Sequence, residues 1–186
     1  MINLLYESLP DAITVDGKDY LINTDYKYWI ELSDALNDPK VNKEYLANVF
    51  IGLFKDEPPK FNNEVFLEIM NFFNGNVKDV KSANGSESGK KTKKVYDFKI
   101  DAEYFISAFL NQYNINLFED DLHWWKFLAL FNGLEKCELT ERMYYRGVDL
   151  STIKNREERK CTKKIQDSLK LDDHVMSDED IGGVLW

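Results

Sequence analysis

The residues best suited to chemistry lie close together in the segment "EDDLHWW", which contains Asp120, Asp121 and His123. Carboxylates and imidazoles can transfer protons near neutral pH or ligate a divalent metal. However, an acid that directly precedes an apolar helical segment is more typical of an N-cap, where its charge also suits the positive end of the helix. We therefore expect Asp120 or Asp121 to cap a helix, and we expect no catalytic or metal-binding role for this group.

Other signals for catalysis or cofactor binding are weak. His174 lies in an acidic tail, and Cys137 and Cys161 lack the spacing of a metal site. The sequence contains no H-E-x-x-H motif, no glycine-rich phosphate loop and no G-x-S-x-G elbow. It therefore predicts a protein that is not an enzyme and that has no catalytic residue, cofactor or metal.

Composition and charge restrict the remaining classes of function. The 186 residues are 44% hydrophobic and 14% aromatic, which is enough to build a core. The formal net charge of −9 disfavours binding to the phosphate backbone of nucleic acids. No apolar run reaches the roughly 18 residues of a membrane helix, and "MINLLYESLP" lacks the basic region of a secretory signal. We expect a soluble, cytosolic protein.

The segment "AITVDGKDYLIN" predicts a β-hairpin. Two short apolar runs, residues 12–15 and 20–22, flank Asp16-Gly17, a dipeptide that accepts the positive φ of a tight turn. A single hairpin is marginally stable in water, so it is expected to pack against the helices that follow.

Three segments with apolar residues at helical spacing follow the hairpin, at residues 24–36, 42–54 and 62–75. Thr24 is the expected N-cap of the first helix, and Pro39 closes it. Asn74-Gly75 is the expected end of the third helix. Short connections between these helices favour antiparallel packing.

Residues 76–95 are rich in Gly, Ser, Asn and Lys, which predicts a solvated, flexible loop. Its lysines at positions 90, 91, 93 and 94 suit either an acidic partner or, as is more frequent, a solubilising role. The loop separates residues 1–75 from residues 96–171, which form a helical part of the same domain or a second subdomain. The acidic tail, residues 172–186, is predicted to be disordered.

The second half of the chain predicts further helices. Asp101 is placed to cap an aromatic helix that is apolar on more than one face. The segment "ELTERMYYRGVDL" predicts a short helix that ends near Gly147. The basic stretch that follows carries a thin apolar stripe, which is typical of a surface helix or of one that pairs with another chain. The stripe consists of Leu150, Ile153, Cys161, Ile165 and Leu169. The whole pattern predicts a mainly α fold, a small helical bundle with a short N-terminal β-hairpin.

The adjacent tryptophans Trp124 and Trp125 begin two apolar stripes, because neighbouring residues on a helix point about 100° apart. One stripe is expected to pack on the helix that begins at Asp101. The other is expected to pack on the N-terminal helices or on a second protein, since tryptophan often dominates interfaces. Packing on the N-terminal helices, in the core, is more frequent for such a stripe than contact with a second protein. In either case, the two rings are expected to meet different environments.

Three segments carry a resemblance to a known family. They are "LPDAITVDGKDYLINTDYKYWI", "YDFKIDAEYFISAFLNQYNINL", and "LHWWKFLALFNGL" followed by "YYRGVDL". Together they resemble the "gene product fifteen" family of tailed bacteriophages over most of the chain from Leu9 to about Leu150. The basic stretch after Leu150 fits the family more loosely.

The resemblance implies a small helical protein that acts in tail morphogenesis. It implies a tail-assembly chaperone that binds the tape-measure protein and recruits tail-tube subunits of the major tail protein. Such a chaperone is expected in the cytoplasm of the infected host and is absent from the mature virion. The alternative is a structural tail component of the virion. The resemblance carries over no catalytic residue.

Several residues are candidates for contact with a partner. The tryptophan pair, the "YYRGVDL" motif and the thin C-terminal stripe supply them: Trp124, Trp125, Tyr145, Arg146, Ile153, Ile165 and Leu169. A narrow apolar stripe with flanking charge suits docking along another helix. The same stripe allows a homo-oligomer as an alternative to a compact monomer.

Overall fold

The computed structural model describes residues 8–38, 40–75 and 93–171. These residues form a mainly helical fold with an N-terminal two-stranded hairpin, as the sequence predicts. The strands are β1 (Ala12–Val15) and β2 (Lys18–Leu21). The helices of the described residues are α1 (Tyr26–Asn37), α2 (Lys43–Gly52), α3 (Asn63–Phe73), α4 (Ala102–Tyr113), α5 (Trp124–Asn132), α6 (Glu138–Gly147) and α7 (Arg156–Ser168).

The described residues fall into two compact units. Unit 1 contains residues 8–75 and 121–130, and unit 2 contains residues 93–120 and 131–171. Pro39, residues 76–92 of the predicted loop, including Lys90 and Lys91, and the predicted tail at 172–186 lie outside the described residues. Within the described part of the chain, no helix has both the length and the apolar character needed to cross a membrane.

The hairpin of unit 1 forms around the Asp-Gly turn, as predicted. Asp16 and Gly17 have φ values of 50° and 74°, the two positive values that a tight hairpin turn of this kind requires. Ala12 pairs with Leu21 and Val15 with Lys18. The Asp16 amide also donates to the Glu64 carboxylate of α3, 3.2 Å away. The hairpin is therefore held by the helical part of its own unit.

The helices of unit 1 are capped by short polar side chains at their N-termini. Asn42 and Asn62 accept hydrogen bonds from backbone amides at the starts of α2 and α3. The prediction of Thr24 as the cap of α1 is wrong by one residue, since the Asp25 carboxylate accepts from the Lys27 amide at 2.8 Å. The predicted end of α3 is confirmed, because Asn74 is its C-cap and Gly75 has a φ of 75°.

Unit 2 packs α4 against α6 and α6 against α7. Its aromatic core places Phe131 against Phe105 and Tyr96, with ring centroids 5.1 and 5.0 Å apart. The predicted end of α6 at Gly147 is confirmed. The predicted stripe on the basic stretch is wrong at Cys161, which is exposed, whereas Thr162 is buried. The predicted stripe starts at Leu150, but α7 begins only at Arg156, because the Asn155 side chain caps it by accepting from the amides of residues 157 and 158.

Candidate functional site

His123 is the residue that caps α5. Its Nδ1 atom accepts a hydrogen bond from the Trp125 amide at 3.0 Å, and its Nε2 atom lies 2.9 Å from the Pro10 carbonyl oxygen. An imidazole that accepts at Nδ1 and donates at Nε2 is neutral, with its proton on Nε2. The prediction that Asp120 or Asp121 caps this helix is wrong, because the helix begins at Trp124 and residue 123 therefore occupies the cap position.

Burial lowers the pKa of His123 below its ordinary value of 6.5. The hydrogen bond to the Pro10 carbonyl and the charge of Asp11 act in the opposite direction, but they do not outweigh desolvation. The shift favours the neutral imidazole, which is the form that the Trp125 amide requires.

The two acids beside His123 have separate structural roles. Asp120 accepts a hydrogen bond from the Asn116 amide at 2.7 Å. The Asp121 side chain is 95% exposed, with its carboxylate 3.9 Å from the Lys27 ammonium group. Among the residues that the structure describes, no group of three or more His, Cys, Asp or Glu side chains is arranged to hold a metal ion.

The tryptophan pair, Trp124 and Trp125, binds the C-terminal end of α3. The Trp124 indole donates to the Phe73 carbonyl at 2.7 Å, and the Trp125 indole donates to the Phe72 carbonyl at 2.8 Å. Carbonyl groups in the last turn of a helix lack intrahelical partners, so they are available to side-chain donors. Two consecutive indoles therefore bind two consecutive carbonyls.

The two rings have different aromatic neighbours: Trp29, Phe73 and Phe127 lie around Trp124, whereas Phe72 and His123 lie beside Trp125. Both are buried in unit 1, with exposed fractions of 1% for Trp124 and 5% for Trp125. Successive carbonyls of a helix diverge by about 100°, as successive side chains do, so adjacent tryptophans can match adjacent carbonyls. Trp29 lies behind the pair, with its ring centroid 6.4 Å from that of Trp124 and 4.6 Å from that of Phe72.

These contacts make the tryptophan pair part of the core of unit 1. The same core contains Trp29, Leu32, Leu46, Phe50, Leu53, Val65, Ile69 and Phe127, all fully buried. The role of Trp124 and Trp125 in binding a partner stays a prediction. A partner that touched either ring would have to displace side chains that now cover it.

Arg146 and Asp101 form a buried ion pair in unit 2. The guanidinium group binds both carboxylate oxygens, at 2.6 and 3.0 Å, and the side chains are 4% and 0% exposed. Asp101 does occupy the N-cap position of α4, but its side chain makes no capping hydrogen bond. The prediction of Asp101 as a capping side chain is therefore wrong. Its carboxylate instead accepts hydrogen bonds from Arg146 and from the Asp97 amide, 3.0 Å away.

Arg146 and Gln166 connect α6 and α7 reciprocally. Arg146 Nε donates to the Leu169 carbonyl, at 2.7 Å, at the end of α7. The Gln166 amide donates to the carbonyls of Tyr145 and Val148, at 2.8 and 3.0 Å, at the end of α6. Each helix therefore supplies a side chain that satisfies C-terminal carbonyls of the other.

The structure thus brings some of the candidate partner residues together. Tyr145, Arg146 and Leu169 meet at the contact between α6 and α7, where Arg146 is buried and the other two are half-buried. Ile165 is half-buried one turn before Leu169, and Ile153 is half-buried in the segment before α7. Trp124 and Trp125 belong to unit 1. Partner binding by each of these residues stays a prediction.

Two exposed aromatic side chains of unit 2 were not singled out from the sequence. Phe118 is 74% exposed and Tyr144 is 61% exposed. Phe118 lies in a well-defined turn: its own amide donates to the Asn116 side chain at 3.1 Å, and the amides of Glu119 and Asp120 donate to the Asn116 carbonyl at 3.0 and 2.8 Å. The sequence signal was a lone phenylalanine among turn residues in "NINLFEDD".

Asp97, whose amide donates to the Asp101 carboxylate of the buried ion pair, is held in its charged form. Burial alone would raise its pKa, but the Lys94 ammonium group at 2.6 Å and the amides of Lys99 and Ile100 bring the pKa below its ordinary value of 3.8. These contacts place Lys94 and Asp97 at the start of unit 2 as a partly buried pair, with side chains 18% and 16% exposed.

One comparison with known proteins gives a match. A family model described as Bacteriophage Gp15 protein matches residues 5–171. No curated protein and no solved structure matches the chain. The matched range includes the His123 cap, the tryptophan pair, the Asp101–Arg146 ion pair and all the helices of the described residues.

Proposed function

Because the chain belongs to the Bacteriophage Gp15 protein family, we propose that it is a non-enzymatic protein of phage tail morphogenesis. Its role is that of a tail-assembly chaperone, which binds the tape-measure protein and recruits subunits of the major tail protein around it. The observation that carries the proposal is the family match over residues 5–171, which includes every motif on which the resemblance rests.

Exposed aromatic side chains support binding to another protein. Aromatic residues supply much of the binding energy at protein interfaces, and large exposed apolar side chains are candidates for such contacts. Phe118 projects from a turn that its backbone hydrogen bonds already hold in place, so binding through it costs little conformational entropy. Tyr144 lies beside the half-buried Tyr145, with ring centroids 5.4 Å apart.

Tyr144 and Tyr145 also line a surface groove of about 440 Å³ in unit 2. Its other lining residues are Leu134, Lys136, Thr140 and Glu141. An amphipathic helix of a client protein can place its apolar side chains in such a groove and its polar side chains at the charged rim. This geometry suits the helical tape-measure protein that the proposal names.

Co-expression with the cognate tape-measure protein tests the role directly. The wild-type chain is expected to raise the soluble fraction of the tape-measure protein and to co-purify with it. Phe118→Ser and Tyr144→Ser are expected to reduce co-purification without loss of folding, because both side chains are exposed. Leu67→Ser, at a residue of α3 in unit 1 that is 51% exposed, is the matched control. A tape-measure protein that stays insoluble and does not co-purify would rule out the chaperone role.

Location in the virion is tested separately. Mass spectrometry of purified phage particles is expected to detect the major tail protein and not this chain, since the proposed chaperone acts in the cytoplasm of the infected host. If this chain is found in the particles in stoichiometric amounts, it is a structural tail component instead.

A further inference from the structure

A cavity of about 290 Å³ in unit 2 lies beside the C-terminal half of α7. Four cationic residues line it, Lys93, Lys94, Arg146 and Lys170, together with a single carboxylate among the described residues, that of Asp167. The chain as a whole has a net charge of −9, so this concentration of positive charge differs in sign from the molecule around it. Such a cavity attracts an anion.

Arg146, which lines this cavity, is a buried residue with more hydrogen-bond donors than acceptors around it. A guanidinium group has five N–H donors. Four hydrogen bonds are made, to the Leu169 carbonyl, the Val95 carbonyl and the two oxygens of Asp101. No residue in the part of the chain that the structure describes accepts from the second N–H of the Nη2 group, on a side chain that is only 4% exposed. An oxygen acceptor in the cavity would satisfy it, in a setting where solvent screens charge weakly.

The lysines differ in how far they are already neutralised. Lys94 is paired with Asp97 at 2.6 Å. Lys93 and Lys170 have no ion pair within the described ranges of the chain. Within the described residues, counting Asp97, Asp101 and Asp167 against the four cations leaves a local charge of 4 − 3 = +1. One negative charge therefore neutralises the site, whereas a phosphate dianion would overcompensate it.

We propose that this cavity binds a side-chain carboxylate of an acidic peptide segment, with Lys93 and Lys170 supplying the opposite charge and Arg146 the buried hydrogen bond. The volume is at the lower end of ligand cavities, which suits one Asp or Glu side chain better than a larger organic ligand. The proposal concerns a site on unit 2 and does not depend on the role in tail assembly.

Fluorescence anisotropy with the full-length protein tests the site. The probe is a dye-labelled Gly/Ser peptide that carries three Glu residues, and its control is the same peptide with Gln at those positions. At low ionic strength, where pairing between partly exposed charges is least screened, the Glu peptide is expected to bind at least tenfold more tightly. Equal binding of the two peptides would overturn the proposal.

Variants locate the binding on the protein. Lys93→Gln and Lys170→Gln are each expected to weaken binding of the Glu peptide roughly three- to fivefold, the effect of losing one partly exposed ion pair. Lys160→Gln removes the same charge from α7 at a side chain that is 64% exposed, outside the cavity lining, and is expected to change little. Arg146 is left intact because its loss would disturb folding. Equal effects of all three variants would show binding to general positive charge and would contradict the site.

Competition distinguishes carboxylate from phosphate. Acetate is expected to displace the Glu peptide at least as well as inorganic phosphate does at the same ionic strength, because the site neutralises a single negative charge. Stronger displacement by phosphate would contradict the assignment to a carboxylate.

Discussion

At the scale of single residues, unit 2 depends on one buried charge pair. Arg146 and Asp101 lie 45 positions apart in sequence. Beyond the pair, the Arg146 guanidinium group donates two hydrogen bonds and the Asp101 carboxylate accepts one, from the Asp97 amide. Removing two charges from water is costly, and only good geometry and additional hydrogen bonds compensate for it. The bidentate contact, with the Val95 and Leu169 carbonyls as further acceptors, meets that requirement.

Loss of one member of the pair is expected to be far more damaging than loss of both. Arg146→Met leaves the Asp101 carboxylate buried without a counterion, which costs roughly 3–5 kcal/mol of the free energy of unfolding. The double variant Arg146→Met/Asp101→Leu is expected to lose clearly less than the sum of the two single changes. Urea denaturation of the four proteins of this double-mutant cycle measures the coupling, and simple additivity would contradict it.

His123 is expected to make stability depend on pH. The unfolded imidazole binds its proton near pH 6.5, whereas the folded one, with its lowered pKa, binds it only at a lower pH. As pH falls below about 6.5, the unfolded state therefore binds more protons, and the free energy of unfolding declines until the pH reaches the folded pKa. Above pH 6.5, His123 makes its full contribution to the free energy of unfolding.

The pH dependence can be assigned to His123 by substitution. His123→Asn keeps an N-cap acceptor for the Trp125 amide but cannot titrate, so its stability is expected to lack the decline that we predict for the wild type as the pH falls below 6.5. Urea denaturation at a series of pH values gives the comparison. The same decline in the variant would place the titrating group elsewhere.

At the scale of elements, unit 1 is held together where α5 meets the end of α3. The tryptophan pair supplies both apolar contact and two hydrogen bonds to the Phe72 and Phe73 carbonyls. The start of α5 is further fixed by the Trp124 amide, which donates to the Thr24 carbonyl at 2.7 Å, and by the Tyr26 amide, which donates to the Leu122 carbonyl at 2.9 Å. The segment that begins α5 is thus joined to α1 and α3 by backbone and side chains together.

Both tryptophans are expected to be needed for folding. Trp124→Ala and Trp125→Ala each remove a buried ring together with its hydrogen bond to the end of α3, so each is expected to cost about 3–5 kcal/mol. Trp124→Phe and Trp125→Phe keep most of the apolar contact and are expected to cost about 1–3 kcal/mol. Thermal unfolding followed by circular dichroism measures both series. A Trp→Ala variant that folds normally and loses only partner binding would identify that ring as an interface residue.

At the scale of the whole molecule, the features that could be predicted from the sequence are those set by residues adjacent in the chain. The Asp16-Gly17 turn and the end of α3 at Asn74-Gly75 carry local backbone preferences, so the pattern located them. The ion pair of Asp101 with Arg146 and the binding of the tryptophan pair to α3 join distant segments, for which the sequence has no local signal. His123 was missed as a cap because histidine has little cap preference and works here only as the neutral form.

The same packing predicts the oligomeric state. Arg146 and Gln166 join the C-terminal end of α7 to α6, where Leu169 is half-buried, and the exposed side chains of α7 are mostly charged, of both signs, which does not favour apolar contact with a second copy. We therefore expect a monomer, and light scattering of the full-length chain in reducing buffer should give a mass near 21.8 kDa. Deleting the chain after Leu150 would not test this, because it removes the Leu169 acceptor of buried Arg146.

Cys161 is exposed, so a dimer seen only without reductant and lost in Cys161→Ser is a disulfide product. A dimer that persists in reductant at micromolar concentration would contradict the monomer.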